Sequence, residues 1–205
     1  MKLYIQLIFL FIFTGLTLSA VAGGLGYKFI SVEYRNFSSS IDGFSEDFEG
    51  EDISLDFSLA VRPHVAVIAG YSRASANLTS SGTMVDADIS ALTFGIMGHA
   101  SMSDTTDFIL GARFINGEAD VDVAGTYSTS VDRDGAVAFI GIRTMALDRL
   151  ELDGYIQKMS IEDTTNIGIN FIAAYYITKS VSLGLGYTLD ADNDILTFGI
   201  TKYFY

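Results

Sequence analysis

The sequence predicts an all-β fold: a single antiparallel, up-and-down β-barrel that crosses a membrane, preceded by a cleavable signal peptide. Three observations predict it. Apolar residues recur at every second position over nearly the whole chain. The alternating segments mostly run to the length a tilted transmembrane strand needs, about 9–11 residues. The connections between them alternate between short turns and longer acidic stretches.

Composition limits the alternatives. Of 205 residues, 49% are hydrophobic, yet 12 Lys+Arg face 25 Asp+Glu and the formal net charge is −13. A disordered acidic chain would be poor in apolar residues. A helical membrane protein would gather them into runs of about 20, and none follows the N-terminus. The sign of the charge excludes a nucleic-acid binder that works by neutralising phosphates. With no Cys there is no disulfide framework, Cys-based metal site or lipobox. No cofactor is expected.

Residues 1–22 read as the signal peptide. Lys2 supplies the positive start, Leu3 to Phe13 form an apolar run broken only by Gln6, and Ala20-Val21-Ala22 is a small-x-small cleavage site before Gly23. An uncleaved anchor is the alternative, since Leu3 to Ala22 could just span a bilayer. Residues 23–205 then form one barrel domain.

Ten strands are expected within it, at about 24–35, 51–61, 65–75, 85–98, 107–118, 133–145, 150–161, 166–177, 181–190 and 194–205. In the second, Ile53, Leu55, Phe57, Leu59 and Val61 alternate with Asp52, Ser54, Asp56, Ser58 and Ala60. The turn that follows, Arg62-Pro63-His64, holds the only proline, where a missing N–H costs no ladder bond. Segments 107–124 and 127–145 are long enough to form one hairpin projecting beyond the rest. In the eighth, Ile167, Ile169, Phe171, Ala173, Tyr175 and Ile177 alternate with a smaller or more polar set. In the ninth, Val181, Leu183, Leu185, Tyr187 and Leu189 alternate with Ser182, Gly184, Gly186 and Thr188. Eight strands are the alternative count. Either even number brings the two termini to one end. So few residues exclude a wide sixteen-stranded porin.

The short connections are 62–64, 146–149, 178–180 and the somewhat longer 99–106; the other set is 36–50, 76–84, 119–132, 162–165 and 190–194. Short turns belong on the periplasmic side and long loops outside. The outer loops are then acidic, while Arg62, Arg149, Lys179 and Lys202 gather on the periplasmic side. By parity, Asp52, Asp56, Arg113, Arg143, Glu151 and Asp153 share the polar face with Tyr155 and Gln157, and are expected as a self-satisfying charge network in the lumen. Tyr27, Phe29, Tyr187, Tyr203, Phe204 and Tyr205, near segment ends, are expected in the interfacial aromatic girdle or at the C-terminal aromatic positions.

A signal peptide, alternating strands throughout and the closing run from Asp194 to Tyr205 (Asp-Ile-Leu-Thr-Phe-Gly-Ile-Thr-Lys-Tyr-Phe-Tyr) resemble the small outer-membrane β-barrel proteins of Gram-negative bacteria, the OmpA/OmpX-like superfamily. The resemblance implies residence in the outer membrane and contact with its lipids and lipopolysaccharide. It also implies that Tyr203 and Tyr205 are read by the barrel-assembly machinery. The chain ends in Tyr where Phe is usual, and its stronger apolar parity runs through Leu196, Phe198, Ile200 and Phe204, which leaves open the face that meets lipid at the end.

Enzymes among barrels of this size use His with Asp or Ser at the outer rim. Both histidines here, His64 and His99, fall at periplasmic connections as solvated turn residues, so the general base is missing and no enzyme is expected. Asp190 to Asp194 lacks the Gly and Glu of a calcium loop, having Ile195 and Thr201 there. Loose divalent cations are possible partners of two acidic stretches. One is Asp42, Glu46, Asp47, Glu49 and Glu51; the other is Glu118, Asp120, Asp122, Asp132 and Asp134. The expected function is a structural or surface-interaction role in the envelope (integrity or adhesion). A narrow pore for ions or small solutes is the first alternative, if Gly, Ser and Thr line the lumen. A soluble, lipocalin-like periplasmic binding barrel is the second.

Overall fold

The computed structural model describes residues 27–39, 48–80, 83–123, 127–162, 164–190 and 193–204. The proposed signal peptide lies outside them. Ten strands follow one another: β1 (Phe29–Ser39), β2 (Phe48–Arg62), β3 (Val65–Ser80), β4 (Thr83–Ser103), β5 (Thr106–Val123), β6 (Tyr127–Leu147), β7 (Leu150–Ile161), β8 (Thr164–Thr178), β9 (Val181–Asp190) and β10 (Asn193–Tyr203). Each pairs antiparallel with its sequence neighbours, and β1 closes on β10 from Phe29↔Tyr203 to Ser39↔Asn193. Ten, not eight, is therefore the strand count.

Period-two alternation places each side chain. Ile53, Phe57, Phe94, Phe114, Phe171 and Leu185 stand exposed on the outer wall, while Asp52, Asp56, Arg113, Asn170 and Thr197 are buried inside. A soluble barrel would have the opposite arrangement, so the lipocalin-like alternative is overturned. The outer wall is a hydrocarbon-facing surface, and closure leaves no unpaired edge within it.

Two-residue turns, Pro63-His64, Asp104-Thr105, Asp148-Arg149 and Lys179-Ser180, lie at the end that carries Tyr27 and Phe204. Connections at the opposite end are mostly as short, at 81–82, 124–126, 162–163 and 191–192, against the expected run of long loops. The termini mark the first end as periplasmic, and the strand overhang with the longer connection 40–47 marks the other as the outer one. Several strands outrun the expected segments. β4 continues to Ser103 and takes in His99, which leaves only Asp104-Thr105 as the turn. The acidic stretch 119–132 joins β5 and β6 as strand on both sides of residues 124–126. The projecting hairpin expected from 107–124 and 127–145 is present, but carboxylates in place of apolar residues on its outer face gave 119–132 the composition of a loop.

Strand length is unequal around the barrel: 21 residues in β4 and in β6, 18 in β5, but 10 in β9. A tongue built from β3 to β6 therefore projects on the outer side. Pairing of β6 with β7 stops at Gly135↔Ile161, so Tyr127–Asp134 pair only with β5.

Candidate functional site

Three levels fill the interior. The middle one is ionic. Arg35 of β1 donates from Nη1 to Asp52 Oδ2 (2.8 Å) and from Nη2 to Ser54 Oγ (2.7 Å), and its Nη2 lies 3.4 Å from Glu33 Oε2. Arg113 of β5 donates across the lumen to Asp56 of β2, Nη1 to Oδ1, 2.9 Å. A third ion group lies nearer the periplasmic turns, where Arg143 of β6 sits over the Tyr27 ring, donates to Glu151 Oε1 (2.6 Å) and holds its Nε 3.4 Å from Asp153 Oδ1. The Tyr176 hydroxyl donates to Glu151 Oε2, 2.7 Å. All three arginines are at most 3% exposed. Isolated charges so buried would be costly, and these are paired and hydrogen-bonded.

The periplasmic level is aromatic. Tyr27 stacks on His99 with ring centroids 3.5 Å apart and donates to Asp107 Oδ2 at 2.9 Å. Phe29, Tyr176 and Tyr203 pack together as a separate cluster at the same end. The outer level is apolar, with Phe37, Ile89, Ile115, Val137, Ile161 and Ile195 turned inward. A wall of small residues on β9 and β10, including Gly184, Gly186 and Gly199, leaves room for these side chains. Glu33 fills part of that room, its Cγ 3.3 Å from where a Cβ on Gly199 would stand. A cavity of about 10 Å³ remains beside Ser31, Glu33 and Thr201, space for about one water.

The six residues expected in the lumen all lie there, in two ion groups plus Asp52. The partner of Asp52, Arg35, and its neighbour Glu33 were missed. They lie at the end of the first expected segment, and the inward parity of Phe29, Ser31, Glu33 and Arg35 was the available signal. The aromatics divide. Tyr187 and Phe204 face outward, but Tyr27, Phe29 and Tyr203 are each at most 2% exposed inside the barrel, which corrects the girdle assignment. Their position along the strand suited a girdle; their parity puts them in the lumen. Tyr205 lies outside the described residues. On β10 it is Leu196, Phe198 and Ile200 that face outward. His64 is in an exposed turn, whereas His99 is buried under Tyr27 and is not a solvated turn residue.

Asp42, Glu46 and Asp47 lie outside the described residues. Glu118, Asp120, Asp122, Asp132 and Asp134 are exposed on one face of the tongue, in strand and not in loop. Four of them meet carboxylates directly across the ladder (Glu118↔Asp132, Asp86↔Asp122 and Asp88↔Asp120), while Asp134 accepts a hydrogen bond from Asn116 Nδ2 at 2.9 Å. Among the described residues, no three His, Cys, Asp or Glu side chains are arranged to hold a metal ion.

No protein-family model and no curated protein matches the chain. Solved structures do. The transport unit of the autotransporter AIDA-I from Escherichia coli has a TM-score of 0.69 at 12% identity, over 98% of this chain and 97% of its own. The translocator domain of the autotransporter NalP from Neisseria meningitidis has a TM-score of 0.61 at 10% identity, over 99% and 95%. At such identity the likeness is one of architecture, and with the outward apolar belt it gives the chain the fold of a small outer-membrane β-barrel protein.

Proposed function

We propose that the protein is a sealed, non-catalytic outer-membrane barrel whose role is to hold the β3–β6 tongue at the cell surface as an interaction surface. The observation that carries this reading is the filled interior. An ion layer and an apolar outer layer occupy the lumen, and an apolar layer across a channel opposes ion passage by dewetting. The pore alternative needed Gly, Ser and Thr around the whole lumen. Small residues line only parts of the described interior, on β3 (Gly70, Ser72) and on β9 and β10, and Glu33 lies against the β9–β10 wall.

Lipid and lipopolysaccharide would cover the apolar belt, with divalent cations bridging lipopolysaccharide phosphates to the carboxylates of the tongue. The barrel-assembly machinery would read the β10 run during insertion. His64 and His99, at the periplasmic end, are remote from the outer rim where surface chemistry would need a base. Purified full-length protein in planar bilayers tests the central claim. Silence at applied voltage is expected, and steady, reproducible current steps would overturn it.

A further inference from the structure

The tongue has one long open edge. From Tyr127 to Asp134, β6 is paired with β5 on one side, and among the described residues no strand pairs with it on the other. An exposed strand edge offers unpaired N–H and C=O groups at alternate residues and is a template for another strand. The edge is accessible, since Tyr127, Ser128, Ser130, Asp132 and Asp134 are all exposed. It is also held in place. Arg133 pairs with Glu162 beyond the end of β7, and Ser130 Oγ donates to Glu118 Oε1 at 3.1 Å.

The side chains on the two faces of this edge differ, and they specify the occupant. On the outer face a new strand would lie beside Ser128, Ser130, Asp132 and Asp134, with Glu118, Asp120 and Asp122 one strand further in. On the inner face it would meet Tyr127, Thr129, Val131 and Arg133, whose charge is paired with Glu162. We infer that Tyr127–Asp134 accept, by β-strand addition, an extended segment of a cationic polypeptide, with Lys or Arg on one face and β-branched residues on the other. Main-chain bonds give the affinity and the acidic rows give the selectivity. A second copy of this chain is disfavoured, because joining two β6 edges would merge two acidic faces into one sheet. The inference rests on the reading of the tongue as a surface element.

The test uses the full chain in nanodiscs and a fluorescent Lys-Val-Lys-Thr-Lys-Val-Lys-Thr peptide. Binding is expected. It should weaken about tenfold or more when the peptide's backbone nitrogens are methylated, which keeps every charge but removes the ladder donors. Replacing its Lys with Glu should abolish binding, and the D132N/D134N variant should weaken it several-fold, about the effect of losing two close charges. Equal binding of the methylated peptide would reduce the effect to charge alone and overturn the inference, as would no binding at all. Concentration-dependent dimers that exclude the peptide would also overturn it, by giving the edge to a second copy. Labelling of Ser130→Cys on intact cells with an impermeant maleimide separates the two claims. Failure to label defeats the surface reading itself, whereas labelling without peptide binding defeats only the strand addition.

Discussion

Arg113 and Asp56 are bonded across the barrel, Nη1 to Oδ1 at 2.9 Å, although β5 and β2 are separated in the wall by β4 and β3. A contact between strands that are not neighbours has to pass through the lumen. The pair therefore ties together two parts of the wall that are not adjacent. Gly70 of β3 leaves the space this requires: a Cβ there would stand 2.7 Å from Asp56 Oδ1 and 2.9 Å from Thr93 Oγ1.

Arg113→Ala should accordingly destabilise the barrel by about 3–5 kcal/mol, because it leaves the Asp56 carboxylate buried and without its cation. Replacing the pair together, Arg113→Met with Asp56→Leu, should recover most of the loss, because no charge is then stranded. Urea titration of the folded, heat-modifiable form on unboiled gels measures both. Equal loss in the single and double variants would mean that packing, and not charge pairing, is what Arg113 provides.

Adjacent tyrosines on β8 test the orientation of the wall. Tyr176 is buried and donates to Glu151 Oε2, while Tyr175 is 52% exposed on the outer face. Tyr176→Phe should cost about 1.5–3 kcal/mol, the range for a hydrogen bond to a charged group, whereas Tyr175→Phe should cost almost nothing. The midpoint temperature of heat-modified migration gives the comparison, and a larger effect at Tyr175 would reverse the assigned faces.

Much of this architecture was legible because a membrane barrel enforces parity wherever it touches hydrocarbon. Ile167 through Ile177 and Val181 through Leu189 gave β8 and β9 to within two residues at either end. Legibility fell where lipid no longer imposes a pattern. The outer halves of β5 and β6 carry carboxylates on one face and small or apolar residues on the other, so a strand there has the composition of a loop. Tyr27, Phe29 and Tyr203 were misplaced for a related reason. An aromatic near a strand end suits an interfacial girdle, and only its register against neighbours such as Ser31 and Thr201 shows that it points inward. Arg35 was missed because its partner Asp52 lies on the next strand, a pairing fixed by the register Arg35↔Asp52 and not by local sequence.

Leu185, midway along β9, should be among the least tolerant sites for charge on the outer wall. Leu185→Arg is expected to cost about 2–4 kcal/mol in a bilayer, the range for a cation near the midplane of a barrel. Lys202→Arg, on the same outer parity but next to the periplasmic turn, should be neutral. Folding yield into phosphatidylcholine vesicles reports the difference. Full tolerance of arginine at Leu185 would mean that this face does not meet hydrocarbon.

The outer apolar layer, and not the ion network, should be the element that blocks conduction. Buried ions can hydrate once the packing around them is loosened, so Arg35→Ala with Arg113→Ala would enlarge the middle level and admit water to it. That water would still meet Phe37, Ile115, Val137 and Ile161 on its way outward. Apolar side chains give it no hydrogen bonds, and a constriction of this kind stays dry. The double-arginine variant should therefore remain silent in planar bilayers despite its lower stability. Adding Ile115→Ser, Val137→Ser and Ile161→Ser would give the path polar partners, and discrete current steps should then appear. Steps from the double-arginine variant alone would assign the seal to the charges; silence after all five substitutions, in protein that still shows heat-modified migration, would mean that the wall itself is too narrow to conduct.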